Sequence, residues 1–369
     1  MRTSTPHPAA GTTTAAYAAL ERGGPLVPWQ FERRAPRPDD VAVRVLYCGV
    51  CHSDIHSIGE WGQSFPLVPG HEIVGEVTAL GANVGGFAVG DLGMIGVIVD
   101  SCRACEPCRH GMEIYCREFP VQTFDGVDRI DGTRTRGGYS AHYVADQRFV
   151  YHLPKGLDPA AAAPLLCAGV TTYSPLRHWK VGPGMTVGVV GIGGLGHLAI
   201  KFARAMGAHV VAFTTSPKKV EAALALGAHE VVLSTDAGQM AAQAYRFDFI
   251  LDTVSATYPM TPMIAALKLD ATLCSLGIPD SFDFAPLMLT MGRRRLASSG
   301  AAGTADTHEM LAFCAEHGIV ADIELIAMDQ INGALQRLEK GEVYYRFVID
   351  MGTISAGRGK APAIPAPTP

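Results

Sequence analysis

Residues Thr186–Gly196, with the sequence TVGVVGIGGLG, decide the fold of the carboxyl-terminal half of this chain. The first five residues form an apolar run typical of a buried strand, and G-x-G-x-x-G follows before a segment with apolar residues at helical spacing. In such a motif the first glycine permits a tight turn, the second lets the backbone approach a pyrophosphate, and the third allows close helix–strand packing. The stretch predicts a dinucleotide site, with an ordinary glycine-rich turn as the alternative. The residues expected to form it are Gly191, Gly193, Gly194, Leu195 and Gly196.

Strand-like and helix-like segments alternate around this motif. Further strands are predicted at His209–Phe213, Glu230–Leu233, Phe247–Asp252 and Thr272–Gly277, and helices at Pro217–Leu226 and Thr307–His317. Such alternation indicates a doubly wound parallel sheet. The region before residue 160 instead carries short β segments separated by Gly and Pro: Val41–Tyr47, Glu72–Ala79, Leu92–Val99 and Tyr139–Val144. The chain is therefore expected to be an α/β protein in which a β-rich domain precedes a Rossmann domain.

The residues after the second strand of this alternating region indicate which dinucleotide is bound. NAD sites usually place an Asp or Glu about 20 residues after the glycine motif, where it bonds the ribose 2′-hydroxyl. No acid occurs between His197 and Val220, and the strand ends in hydroxyl residues followed by two lysines. Hydroxyl and ammonium groups suit a 2′-phosphate, so NADP(H) is predicted, although a solvated helical turn would explain the lysines equally well. The residues expected to contact the phosphate are Thr214, Thr215, Ser216 and Lys219.

A compact cysteine cluster has the spacing Cys102-x2-Cys105-x2-Cys108-x7-Cys116. Without a secretory signal, such a cluster is more typical of a metal site than of disulfides, and a closed tetrahedral S4 site suits zinc. An iron–sulfur cluster is the rival interpretation. Bacterial ferredoxins, however, follow their two-residue gaps with a three-residue gap and a proline after the last cysteine. Four protein ligands leave no room for a substrate, so the chemistry is expected elsewhere.

Cysteine, histidine and acidic residues are also concentrated at two other places. Gly49–His56 reads GVCHSDIH, and Pro69–Glu72 reads PGHE. A catalytic zinc needs three protein ligands and one open position. Cys51 and His71 are candidate ligands, and local spacing does not identify a third. A single buried Cys or His is more often a core residue than a ligand, so spacing alone leaves both interpretations open.

Composition places the chain among globular proteins of two or three domains. Its 369 residues are 48% hydrophobic and 18% charged, and the net charge of −5 includes no basic block, so nucleic acid and membranes are not expected partners. Residues 1–14 contain no apolar signal segment, and glycines interrupt the most apolar stretch, Met185–Ile200. Nine cysteines without a secretory signal indicate a cytoplasmic location. Composition predicts disorder in residues 1–14 and 355–369.

The motifs together resemble one enzyme family. GVCHSDIH, PGHEIVGEV, the four-cysteine spacing, APLLCAGVTTYSPL, GIGGLGH and YRFVID follow the order typical of the zinc-dependent medium-chain alcohol dehydrogenases. Within that family the chain looks most similar to cinnamyl alcohol dehydrogenases and to bacterial NADPH-dependent aldehyde reductases. The resemblance implies a GroES-like catalytic domain at residues 15–168 and 306–354, with a structural zinc lobe at about 98–120. It implies a Rossmann NADP-binding domain at residues 169–305.

The resemblance also implies roles for single residues near the reaction centre. Cys51, His71 and Cys167 match the ligands of a catalytic zinc, and Glu72 matches a reserve ligand. Asp54 matches an acid that orients a ligand such as His71. The residues that match a proton relay are Ser53 and His56.

Other matches concern the cofactor, the second metal and assembly. His52 and Arg346 match contacts to the cofactor pyrophosphate, and Thr171 matches a contact behind the nicotinamide. The ligands implied for a structural zinc are Cys102, Cys105, Cys108 and Cys116, which makes two zinc ions per chain. A homodimer is expected, joined through a strand near Leu287–Met291.

The implied activity is zinc-dependent, NADPH-linked reduction of a small aldehyde, with alcohol oxidation as the reverse reaction. Two regions depart from the plant enzymes, because Ser299–Ala302 and Gln122 stand where those carry aromatic rings. A roomier pocket for aromatic or medium-chain aldehydes is therefore expected, with Trp61 and Phe119 as candidate walls. Alternatives are a cinnamyl-type alcohol oxidiser, a reductase of conjugated C=C or C=N bonds, and a non-catalytic dinucleotide-binding or zinc-storage protein.

Overall fold

The structure, a computed structural model, describes residues 11–354 and contains two large β-sheets. The first region consists of β1 (Thr12–Ala19), β2 (Leu26–Arg33), β3 (Asp40–Gly49), α1 (His52–Ile58), β4 (Ile73–Leu80), β5 (Leu92–Ile95), β6 (Ile98–Asp100), α2 (Glu106–Arg109), β7 (Val121–Gln122), β8 (His142–Asp146), β9 (Val150–His152) and α3 (Pro159–Ala162). β3 and β4 pair antiparallel with Cys48 opposite Ile73. This register brings the residues after β3 next to those before β4, and the N–H of Gly49 donates to the carbonyl of Glu72 at 2.9 Å.

The second large sheet is parallel and doubly wound. Its elements are α4 (Ala168–His178), β10 (Thr186–Val190), α5 (Gly196–Ala205), β11 (His209–Thr214), α6 (Val220–Ala225), β12 (Glu230–Leu233), α7 (Ala237–Ala241), β13 (Phe247–Asp252), α8 (Thr261–Ala266), β14 (Leu267–Ser275), α9 (Leu287–Thr290) and β15 (Arg295–Ser298). The strand order is β12-β11-β10-β13-β14-β15. The order reverses between β10 and β13, which is where open α/β sheets bind ligands. The predicted fold class is confirmed.

The chain then returns to the first sheet. This last part consists of α10 (Thr304–His317), β16 (Ile323–Ala327), α11 (Ile331–Glu339) and β17 (Arg346–Asp350). β17 pairs parallel with β16 and antiparallel with β3, so that Val348 lies opposite Gly49. Arg346, at the start of β17, is thereby carried to the same end of the sheet as Cys51.

One apolar core is continuous across both regions. It contains Val74 and Met94 of the first sheet together with Val187 of β10 and Phe202 of α5, all of them buried. Burial of such side chains stabilises a fold by about 1.5–3 kcal/mol each. Because the core is shared, each region is held in a defined position on the other.

The structure corrects three sequence-based predictions. Thr12–Thr14, expected at the end of a disordered terminus, pair with Phe31–Arg33 because backbone hydrogen bonds outweigh their low-complexity composition. Leu92–Val99 is two strands, because the carbonyls of residues 96 and 97 turn aside to accept bonds from Thr123. The edge strand, expected near Leu287–Met291, is β15 and begins only at Arg295, because Leu287–Met291 itself contains the helix α9.

Some predictions about the termini and the domains are not decided by the structure. The disorder predicted for residues 1–10 and 355–369 lies outside the described residues. The domain limits at residues 168, 305 and 354 stay predictions. Among residues 11–354, no helix combines the length and apolarity that a bilayer crossing requires.

Candidate active site and metal centres

Four side chains from distant parts of the sequence meet beside the end of β3. Cys51 precedes α1, His71 and Glu72 precede β4, and Cys167 precedes α4. One ligand atom from each lies within 4.8 Å of the other three. The Sγ atoms of Cys51 and Cys167 are 3.8 Å apart. Two thiolates bound to a tetrahedral zinc at about 2.3 Å would be separated by about 3.8 Å, so this donor set fits zinc.

The buried carboxylate of Asp54 holds the loops that carry these ligands. It accepts the N–H of Cys51 at 2.9 Å, the N–H of Gly70 at 3.0 Å and the hydroxyl of Tyr139 at 3.1 Å. Its Oδ1 lies 3.4 Å from Nδ1 of His71. The other ring nitrogen of His71 is thus left for a metal, which is the usual arrangement of a metal-bound histidine. Tyr139 was not predicted, because nothing in its local sequence signals this contact.

The cluster favours a thiolate at Cys51. A hydrogen bond from the Cys167 thiol holds the pKa of Cys51 well below its usual value, and His71 and Arg346 act in the same direction against the effect of burial. Burial raises the pKa of Glu72 to about 7, although the charge of Arg346 opposes this shift. Oε2 of Glu72 is buried and has no hydrogen-bond partner among the described residues. Thiolate is the form of cysteine that binds metals, and the spare oxygen of Glu72 suits a reserve ligand.

Arg346 connects this cluster to the glycine turn. Its guanidinium forms an ion pair with Glu72, and the two side chains are 4% and 0% exposed. On its other side, the Arg346 side chain occupies the space that a Cβ at Gly194 would need. The sequence predicted Arg346 only as a pyrophosphate contact, which stays a prediction. The link to Glu72 had no sequence signal, because 274 residues separate the two.

The predicted relay residues lie on α1, the helix that begins directly after Cys51. Oγ of Ser53 is 3.4 Å from Sγ of Cys51. His56 is exposed one helical turn later, and its ring stacks on Trp61 with the ring centroids 4.4 Å apart. Phe119 is 84% exposed, and Phe124 is the ring that lies against His71, at 5.7 Å. Phe124 is therefore better placed than Phe119 to form a wall of the site.

The glycine turn has the geometry of a dinucleotide site. Gly191 has φ +85°, and a Cβ at Gly196 would overlap the carbonyl oxygen of Gly191, so neither position accepts a side chain without distortion. The space next to Gly193 is open, which leaves room for a ligand against the backbone. Leu195 immediately precedes α5, so the free N–H groups of that helix begin at this turn.

The other predicted cofactor contacts occupy different environments. Thr214 is buried and its Oγ1 accepts the N–H of Ser216 at 3.1 Å, whereas Thr215 is exposed. Nζ of Lys219 donates to the carbonyl of Ile192 at 3.0 Å, so it braces the glycine turn. Two further predicted contacts are His52, exposed on α1, and Thr171, in the first turn of α4.

The four remaining metal-ligand candidates form a separate lobe. Sγ atoms of Cys102, Cys105, Cys108 and Cys116 all lie within 4.8 Å of one another. The Cys102–Cys108 separation is 3.8 Å, again the edge of a zinc tetrahedron. The N–H of Cys105 donates to Sγ of Cys102 at 3.3 Å, and backbone donors at Arg117 and Cys108 lower the pKa of the Cys105 thiol to about 6. Such donors stabilise thiolates, so the lobe also fits zinc.

Together, the parallel sheet, the glycine turn and the two metal-type clusters define a class of protein, the zinc-type dehydrogenases built from a GroES-like and a Rossmann-like domain. Two family matches agree. The family described as Alcohol dehydrogenase GroES-like domain matches residues 37–155, and the family described as Zinc-binding dehydrogenase matches residues 194–316.

Three similar proteins indicate the family within this class. Aldehyde reductase YahK of Escherichia coli K12 is 52% identical over 345 residues, which is 92% of this chain and 98% of that protein. The solved structure of a cinnamyl alcohol dehydrogenase of Sorghum bicolor, SbCAD4, superposes with a TM-score of 0.90 at 44% identity, covering 94% of this chain and 100% of that one. A Helicobacter pylori enzyme, described as CAD complexed with NADP(H), has a TM-score of 0.86 at 35% identity, covering 93% and 99%. The chain belongs to the zinc-dependent medium-chain alcohol dehydrogenase family, as its motifs predicted.

Proposed function

We propose that this oxidoreductase is an NADPH-dependent aldehyde reductase that also oxidises alcohols, and that it holds two zinc ions per chain. Its catalytic zinc would be held by Cys51, His71 and Cys167, with Glu72 in reserve. The observation that carries the proposal is the meeting of this donor set with the glycine turn through Arg346. A non-catalytic zinc-storage protein would have no need for that link.

The residues of the cluster have separable tasks in this reaction. When bound, zinc supplies Lewis-acid stabilisation of the charge growing on the substrate oxygen, and NADPH supplies the hydride. Asp54 keeps His71 in one orientation by facing its Nδ1. The ion pair with Arg346 holds one oxygen of Glu72 and leaves the other without a hydrogen-bond partner among the described residues, as a reserve ligand requires.

A proton must reach the substrate oxygen, and α1 offers a path. Ser53, next to Cys51, can donate its hydroxyl proton to the substrate oxygen. His56 follows one turn later on the exposed side of the helix, and a proton passed from water through His56 would restore the Ser53 hydroxyl. Positioned proton transfer of this kind typically contributes about 10²–10⁴-fold to turnover.

The choice of NADPH rests on the residues after β11. Thr215 and Ser216 present hydroxyls there, and no acid stands in the position that would bind a ribose 2′-hydroxyl. The Helicobacter pylori relative, solved in complex with NADP(H), supports this choice. Comparable turnover with NADH and NADPH would overturn it.

The substrate class follows from the pocket and the relatives. Gln122 and Ser299–Ala302 stand where the plant enzymes that the sequence resembles carry aromatic rings, so a pocket here would have fewer aromatic walls. Trp61 is 44% exposed and stacks on His56. Relatives named as an aldehyde reductase and as cinnamyl alcohol dehydrogenases support aromatic or medium-chain aldehydes. The test is NADPH oxidation across a panel of aromatic, medium-chain and small aldehydes. Clear dominance of a small aldehyde such as acetaldehyde would refute the proposed pocket.

A cinnamyl-type alcohol oxidiser is the second candidate, since the Sorghum bicolor structure carries that name. It predicts that cinnamyl alcohol with NADP⁺ outpaces every aldehyde of the panel when both directions are measured at one pH. Ser53 and the full donor set of a catalytic zinc are present, which favours carbonyl chemistry over reduction of conjugated C=C or C=N bonds.

We also propose a cytoplasmic homodimer. None of the nine cysteines forms a disulfide within residues 11–354, which suits a reducing compartment. Leu287 and Met291 are exposed apolar side chains a few residues before the edge strand β15, which suits an edge-to-edge contact between two copies. Light scattering of the purified protein tests the dimer, and a monomer mass at micromolar concentration would contradict it.

A further inference from the structure

His197, the residue directly after the glycine motif, is fully buried although it is a titratable residue at a helix start. Nothing in the proposed reaction uses it. Its ring lies between two parts of the chain that are far apart in sequence. On one side is the turn at Gly193, and on the other are Asp322, just before β16, and Tyr345, just before β17. Both ring nitrogens and one ring face are engaged there.

The two hydrogen bonds fix the protonation of the ring. Nε2 lies 3.3 Å from the backbone nitrogen of Asp322, which can only donate, so Nε2 accepts and carries no proton. Nδ1 lies 3.2 Å from the carbonyl oxygen of Gly193, which can only accept, so Nδ1 carries the proton and donates. The ring is thus a neutral imidazole in a single tautomer.

The ring face makes a third contact. Tyr345 stacks on His197 with 4.8 Å between the ring centroids and an interplanar angle of 4°. Tyr345 is buried and immediately precedes Arg346, the residue that packs on Gly194 and pairs with Glu72. His197 therefore contacts Gly193 and Tyr345, the neighbours in sequence of Gly194 and Arg346, which pack against each other.

The bond to Gly193 bears directly on ligand binding. The carbonyl of Gly193 accepts two bonds from the same residue, one from the backbone N–H of His197 at 3.1 Å and one from its ring. A carbonyl held in this way is directed into the protein. Phosphate oxygens at the turn then meet N–H groups rather than a carbonyl that would repel them.

We propose that His197 is a positioning residue for dinucleotide binding, which fixes the Gly193 peptide and ties the glycine turn to the segment that carries Arg346. The inference rests on the proposed dinucleotide-dependent function. It concerns the pyrophosphate, which NADPH and NADH share, and so does not depend on which of the two is preferred.

The test compares His197→Phe and His197→Gln with the wild type. The Phe variant keeps a ring to stack on Tyr345 but loses both hydrogen bonds, whereas Gln can still accept from the N–H of Asp322. NADPH affinity is measured by fluorescence titration, together with kcat and KM for the aldehyde. We expect the Kd for NADPH to rise at least about tenfold in the Phe variant and less in the Gln variant, with kcat at saturating NADPH within about threefold of the wild type.

The outcomes are distinguishable. Wild-type protein that binds neither NADPH nor NADH would defeat the proposed function itself. Wild-type binding together with an unchanged Kd in the folded Phe variant would overturn the positioning role alone. If the Phe variant does not fold, the imidazole ¹⁵N spectrum of the wild type decides: a neutral ring with its proton on Nδ1 supports the role, and any other form overturns it.

Discussion

Ser53 is the residue whose removal tests the proton path most directly. In Ser53→Ala the hydroxyl next to Cys51 is lost, but no described ligand of either metal-type cluster changes. We expect kcat for aldehyde reduction to fall by about 10²-fold or more, because proton donation is needed in the transition state. The Kd for NADPH and the zinc content should stay as in the wild type.

A second serine on α1 supplies the matched control. Ser57→Ala makes the same change one turn further along the helix, and its turnover should remain within about twofold of the wild type. Unchanged turnover in Ser53→Ala, with zinc still bound, would rule out Ser53 as the donor.

Ser216 tests the preference for NADPH. Ser216→Asp adds a carboxylate after β11, close to the place where NAD sites carry an acid. We expect kcat/KM for NADPH to drop at least about tenfold, because like charges repel, while kcat/KM for NADH stays level or rises. If Ser216→Asp left the ratio of kcat/KM for NADPH to kcat/KM for NADH unchanged, the 2′-phosphate would not bind at this loop.

His197 also makes a prediction about pH. Burial, with the charges of Lys201 and Arg346, lowers the pKa of His197 to about 3, while Asp322 and the Gly193 carbonyl oppose the shift only in part. The unfolded chain binds a proton near pH 6.5, so stability is fully present above that pH and is lost as pH falls toward 3. Between pH 7 and pH 5 the loss from this residue is about 2 kcal/mol.

Urea unfolding at pH 7 and pH 5 measures this loss. Since other histidines titrate alike in both proteins, the pH-dependent drop in the free energy of unfolding should be smaller in His197→Gln than in the wild type by about that amount. An equal drop in both proteins would show that the ring titrates normally.

Single residues also show what sequence could not supply. Cys51 and His71 lie in dense local motifs, but Cys167 is 116 residues from Cys51 and was found only through the resemblance to a family. Tyr139 and the Glu72–Arg346 pair were missed for the same physical reason. Contacts made by folding across long separations leave no local pattern in the chain.

At the level of elements, local pattern sufficed where a strand is buried on both faces. Thr186–Val190 and Phe247–Asp252 are strands with the predicted limits, because the central strands of a parallel sheet are largely apolar runs between helices. The strand predicted at Tyr139–Val144 was less accurate. The N–H of Tyr139 donates to the carbonyl of Pro69 and that of Ala141 to the carbonyl of Ala15, so these residues do not join β8, which begins at His142. Tertiary contacts override local propensity in such loops.

The start of α10 depends on a residue of the four-cysteine lobe. The buried carboxylate of Glu113 accepts the backbone N–H and the hydroxyl of Thr304, each at 2.8 Å, and so caps a helix from another part of the chain. In Glu113→Ala both donors lose their partner. We expect a loss of about 2 kcal/mol in the free energy of unfolding, measured by urea denaturation with zinc content unchanged. Glu118→Ala, whose side chain is exposed, should cost less than about 0.5 kcal/mol.

At the level of the whole molecule, the two metal-type clusters differ in what surrounds them. The glycine turn is joined through Arg346 and Glu72 to the cluster of Cys51, His71 and Cys167. The four-cysteine lobe is joined to α10 through Glu113, and its ligands are all cysteines. A metal held by three protein ligands would keep one position for a substrate, whereas four cysteine ligands would close the second site. Loss of either metal should therefore have different consequences.

Metal analysis of variants tests this division. Wild-type protein should contain about two zinc ions per chain, and Cys51→Ser and Cys105→Ser about one each. Cys51→Ser should lose aldehyde reduction but keep its NADPH affinity, because the glycine turn is intact. Cys105→Ser should keep measurable turnover but unfold at lower urea, since binding of a structural zinc contributes directly to folding. Cys314→Ala, which changes a buried cysteine outside both clusters, should retain both ions. If Cys105→Ser lost both ions and its turnover together, the lobe would belong to the reaction centre rather than to the fold.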